Sequence, residues 1–209
     1  MTNVASREGA EPAVGGDAPP RRVSQLLSPN SWNLFRRDAA PARPRGWPRR
    51  IPAEVEVARI LGELGEGWTI LRASDGLADF GADFLVVGQS GIFTISAARP
   101  AGGNIWVDEN VLWQNGRPTD HVRTARRHAE RAASVLAGFS GIPVNVAPVI
   151  VLLDPDDISF GGDPARRVRV LPSDLLVRSL AESRPVHSPE ATAYFAMIAE
   201  ECSTWSALR

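Results

Sequence analysis

One carboxylate interrupts an otherwise apolar run, Gly81-Ala82-Asp83-Phe84-Leu85-Val86-Val87-Gly88. An unpaired buried acid is costly, so Asp83 reads as a ligand for a hard cation, a partner for an arginine, or a relic kept tolerable by water or a backbone donor. Further along, Arg123, Arg127 and Arg131 recur at i+4 steps, with Arg126 and Glu130 beside them. That stripe suits phosphate contact that weakens as salt rises. It equally suits a solvated helix face carrying a modest Arg126–Glu130 pair, which the acidic balance of residues 51–209 favours. His121 and His128 stand seven residues apart without a cysteine or third histidine at ligand spacing, so they read as surface or boundary residues and not as a zinc site. Trp106 and Trp113 fit cross-strand packing better than a base-stacking platform.

The absences exclude more chemistry than the motifs suggest. All 23 basic residues are arginine and none is lysine, which removes a Walker A phosphate loop and a Schiff base. Gly88-Gln89-Ser90-Gly91 lacks the spacing of a nucleophile elbow and reads as a turn. A single cysteine, Cys202, rules out an internal disulfide framework. No charged segment followed by an apolar run opens the chain, and no span is long enough to cross a membrane, so a reducing cytoplasm is the expected location.

Behind these residues stands a chain of 209 residues, 44% hydrophobic, with a net charge of −1, enough for one domain with a sizeable core. Residues 1–50 carry nine arginines against four acids, and residues 51–209 fourteen against twenty. Seven of the 17 prolines also fall in the first 50 residues, which read as a disordered Pro/Arg-rich arm. Arginine and tryptophan interleave there in a way compatible with phosphate contact and base stacking. The domain is expected over 51–180, with a helix from Ile51-Pro52 to Leu64, ended by Gly65, whose Val57, Ile60, Leu61 and Leu64 share one face. Strands follow at Trp68–Arg72, Gly81–Gly88 and Ile92–Ala98, with a hairpin turn at Gly88–Gly91 and a second hairpin of Asn104–Val107 against Val111–Trp113. A helix over 120–137 points Val122, Ala125, Ala129, Ala132 and Leu136 inward. Strands at Val144–Leu153 and Arg167–Val170 and helices near 173–182 and 189–206 complete an α/β domain with a central mixed sheet flanked by helices. Residues 181–209 are expected to hold a C-terminal helix docked on the domain.

The series Glu54-x-x-Val57-x-x-x-Leu61, then Asp83-x-x-Val86-Val87-Gly88-x-x-Gly91-Ile92-Phe93-x-Ile95, then Gly103-x-Ile105-x-Val107, Trp113 and Asn115-Gly116 resembles the nuclease-related domain, or NERD, family over about residues 51–155. The resemblance implies a restriction-endonuclease-like fold. It also implies an acid on the first helix and two on the hairpin as Mg²⁺ ligands, and a lysine two residues after the last acid to orient water and offset phosphate charge. On that match Glu54 is the helix acid and Asp83 the first hairpin acid. Ser96 stands where the second acid belongs, and Ala98 where the lysine belongs. Arg99 follows Ala98 directly and should face the other side of the sheet, and its guanidinium cannot act as a base. Asp79 could supply a displaced ligand, while Glu56 looks away from Glu54.

The resemblance, read with these departures, implies an eroded site with no cofactor, and a protein that binds nucleic acid or a protein partner. Arg123, Arg127 and Arg131 and the arm would make the contact. The alternative is a metal-dependent nuclease that uses Glu54, Asp83 and relocated groups, with Mg²⁺ held at Asp83, and a third possibility is a structural assembly subunit.

Overall fold

The computed structural model describes residues 52–73, 81–100, 103–163, 168–201 and 205, all within one body, Pro48–Arg209. The arm of residues 1–50, Asp79 and Cys202 lie outside the described residues.

Pro52 precedes α1 (Ala53–Leu61), where its missing N–H costs nothing, and a 3-10 turn, Gly62–Leu64, completes the expected helix. Its buried face is Val57, Ala58, Ile60 and Leu61. Strands β1 (Thr69–Arg72), β2 (Phe84–Gly88) and β3 (Gly91–Ala98) form an antiparallel meander. After a second three-stranded meander, β4 (Asn104–Val107), β5 (Leu112–Gln114) and β6 (Arg117–Thr119), comes α2 (His121–Ser140). β7 (Val146–Leu152), β8 (Asp157–Phe160) and β9 (Arg169–Pro172) follow, then a 3-10 turn at Ser173–Leu175, α3 (Leu176–Ala181) and α4 (Pro189–Glu200). Ser188 caps α4 by accepting the Ala191 amide at 3.2 Å.

The main sheet has the order β1-β2-β3-β7-β9, antiparallel on its first half and parallel from β3 onward. Both of its faces are covered, which explains why β2 reads as an unbroken apolar run instead of alternating. Phe84 and Val86 pack with α1 and α3, whereas Leu85 and Val87 pack with α2 and α4. The α/β class and the mixed sheet flanked by helices agree with the sequence reading.

A second sheet departs from it. β6, β5, β4 and β8 form a separate four-stranded sheet in which β8 pairs parallel to β4. Its inner residues Ile105, Val107 and Leu112 bury against the first half of α2 and against Ile150 and Leu152 of β7. Neither β6 nor β8 is among the expected strands, and β9 sits two residues later than expected. The second helix reaches three residues further, to Ser140, and α4 stops at Glu200. Among the described residues no helix is long and apolar enough to cross a membrane.

Candidate functional site

The end of the β2–β3 ladder gathers most of the residues that could do chemistry. Phe84 pairs with Ile95, so continuing the register would set Asp83 opposite Ser96. The Asp83 N–H instead donates to the Ile95 carbonyl at 3.0 Å, and its own carbonyl accepts the Ala73 amide at 3.0 Å. The carboxylate completes the pattern, its Oδ2 accepting the Ala97 N–H at 2.6 Å. Ala97 points that amide away from β7, and with β2 already ended it would otherwise face no backbone acceptor. Asp83 is therefore held by a backbone donor, one of the three readings its sequence context allowed.

Burial pushes the Asp83 carboxyl above its ordinary range, and the Glu54 charge adds to that rise. The Ala97 amide and His128 act in the opposite direction. Glu54 lies exposed in the first turn of α1, so the helix acid and the hairpin acid that the resemblance names come within electrostatic reach of each other.

His128 is the member sequence reasoning missed. It projects from α2 toward the start of β2, and its ring lies so close over Gly81 that a Cβ there would stand 2.6 Å from Cδ2. Its Nδ1 is buried and has no hydrogen-bond partner among the described residues. Burial, then the neighbouring Arg127, lowers its pKa from the ordinary 6.5; Asp83 counters this and Arg131 reinforces it. The site thus combines two carboxylates and one imidazole that prefers to be neutral.

The remaining positions fall elsewhere. Ser96 is half-buried and pairs with Ile150 of β7. Ala98 packs its methyl against the cluster of Ile105, Val122 and Leu152, and its carbonyl accepts the Leu153 amide at 2.9 Å. Arg99 does face the opposite side. There, with its side chain 12% exposed, it binds Glu56 of α1 and lies 3.8 Å from Asp154. This ion pair ties the start of α1 to the ends of β3 and β7, which gives Glu56 and Arg99 a structural task. Among the described residues no group of three or more His, Cys, Asp or Glu is arranged to hold a metal ion.

On α2, Arg123 pairs with Asp120 at 2.8 Å and Arg127 reaches the Thr124 hydroxyl at 3.4 Å, both exposed to solvent. Arg126 turns from the stripe to bind the Asn110 side chain and the Glu109 carbonyl, tying the helix to the β4–β5 turn. Arg131 is half-buried beside His128. His121 lies exposed at the start of the helix. A cleft of about 440 Å³ opens between α2 and the β7–β9 edge, lined by Arg126, Glu130, Asn145, Pro148 and Val168, and contains none of the hairpin residues.

No family model matches this chain, and neither a curated protein nor a solved structure does.

Proposed function

We propose that this chain is a restriction-endonuclease-like domain, akin to NERD domains, that has lost phosphodiester hydrolysis and serves as a cytoplasmic nucleic-acid-binding module. The observation that carries the reading is the bond from the Ala97 amide to Asp83. The one hairpin acid is committed to the sheet, and the position of the second acid holds the Ser96 hydroxyl. The lysine position holds a methyl packed among Ile105, Val122 and Leu152. Two carboxylates, one of them engaged in this way, grip Mg²⁺ weakly. Arg127, exposed on α2 next to His128, supplies the phosphate-facing charge that binding requires.

A second reading, metal-dependent hydrolysis with relocated groups, draws its support from His128. A neutral imidazole beside two carboxylates is the kind of base that a lost lysine leaves room for. Incubating the purified chain with Mg²⁺ or Mn²⁺ and single- or double-stranded DNA or RNA separates the two. The proposal expects salt-sensitive binding without cleavage. Cleavage that disappears with Asp83→Ala or His128→Ala would establish the second reading in its place.

A further inference from the structure

The outer face of the second sheet carries an aromatic row that neither the core nor the hairpin site uses. Register aligns Ser159 of β8, Trp106 of β4, Trp113 of β5 and Pro118 of β6 across all four strands. The alternate residues Ile105, Val107 and Leu112 point inward and are 1% exposed or less, so the row must face outward. Ser159 and Pro118 are exposed at its two ends, and the two indoles between them are half-buried. Their ring centroids lie 6.1 Å apart with the planes tilted by 53°.

The chain sits close to one of the two indoles. Gly161 passes beneath Trp106, where a Cβ would stand 2.8 Å from Cζ2. Acids flank the Ser159–Trp106 side of the row along the strand direction, one before it and one after it. Asp108 follows Trp106 two residues on along the same face, and Asp157 pairs with Asn104 two residues before it. Asp156, whose Oδ2 accepts the Gly103 amide at 2.6 Å, lies next to Asp157.

We infer that this face is a docking site for a proline- and arginine-rich peptide in the extended polyproline II form. A tilted pair of indoles accepts a proline ring, and the polyproline helix is stiff enough that ordering it costs little entropy. Guanidinium groups stack on the open indole faces and pair with Asp108 and Asp157. The same acids repel phosphate, which disfavours single-stranded nucleic acid as the occupant despite the aromatic surface.

The test uses the full chain and three labelled probes read by fluorescence anisotropy: a Pro-Pro-Arg repeat, a Pro-Pro-Glu repeat and an oligothymidylate. The Pro-Pro-Arg repeat is expected to bind, to change the tryptophan emission and to weaken as salt rises. Trp113→Ala should weaken it about tenfold, and the surface change Asp157→Arg about fivefold, reflecting loss of stacking and of charge attraction respectively. Because Trp113→Ala also removes packing, Asp157→Arg with an unaltered thermal melt keeps the test decisive. Equal binding of both peptides, no binding of either, or indifference to Asp157→Arg overturns the inference. Oligothymidylate binding lost in Trp113→Ala also overturns it, since the face would then be a base-stacking platform.

Discussion

The carboxylate of Asp83 accepts the Ala97 amide proton 2.6 Å across the open end of the β2–β3 ladder. That bond gives the acid a measurable structural share. Asp83→Ala leaves a part-buried N–H unmet and should cost about 1–3 kcal/mol in urea unfolding. Asp83→Asn retains an acceptor oxygen and discards a charge that burial disfavours, so it should sit close to the parent. Equal losses in the two variants would show that the hydrogen bond is not what matters there.

Acidification should act on this corner in two limbs of opposite sign. His128 has a folded pKa below its ordinary 6.5, so its contribution is present above that pH and is lost as pH falls from there toward the lowered value. Asp83 has a folded pKa above its ordinary 3.8, so its contribution is present below that pH and is lost as pH rises through the raised value. Thermal melts across pH should show His128→Gln flattening the first limb and Asp83→Asn the second. The groups facing the imidazole are Asp83, Arg127 and Arg131, so added salt should soften the first limb as well.

Gly81 combines a φ of +84° with the His128 ring above it. Gly81→Ala therefore meets backbone strain and a clash together, and a loss of about 1–3 kcal/mol is expected from the strain alone. The double variant Gly81→Ala/His128→Ala should recover the clash and not the strain. Calorimetry on the three proteins separates them, and full recovery in the double variant would show that the backbone is unstrained.

Arg99 should prove a clamp and not a catalytic group. Arg99→Met leaves Glu56 without its guanidinium and is expected to cost about 1.5–3 kcal/mol, as for hydrogen bonds to charged groups. A double-mutant cycle with Glu56→Gln should show coupling, because the pair is in direct contact. Additive losses would argue that Asp154 alone holds the arginine.

If α2 contacts phosphate, Arg127→Ala and Arg123→Ala should each lower the slope of log binding constant against log salt by about one, whatever the sequence of the oligonucleotide. Arg184→Ala, on the exposed loop between α3 and α4, serves as the control. Slopes that do not change in any variant would leave the stripe as a solvated face.

Long, strongly patterned elements were legible. The five inward positions of α2 named from periodicity are all buried, and the β2–β3 hairpin appears with its turn where glycine spacing put it. The short strands were not. Asp157-Ile158-Ser159-Phe160 has four residues, no clear alternation and a partner in the distant β4, so nothing local marks it. Arg117-Pro118-Thr119 closes onto β5 through Asn115-Gly116, which is a local hairpin signal, but three residues with a central proline do not read as a strand. At the site, Asp83 was visible because its polarity broke an apolar run. His128 was not, since helical spacing places it at a boundary and only the approach of Gly81 turns it toward Asp83. That approach depends on chain segments 47 residues apart, which no local pattern encodes.

The parallel pairing of β8 with β4 has a consequence for how this polypeptide is made. While a ribosome extends the chain, the β1–β3 meander can close soon after it emerges, but β3 and β4 keep one flank bare until β7 and β8 arrive some fifty residues later. Bare strand flanks recruit neighbouring chains. Nascent chains stalled ahead of Asn145 should therefore be the aggregation-prone species, and a chaperone that shields those flanks should raise the yield of native protein.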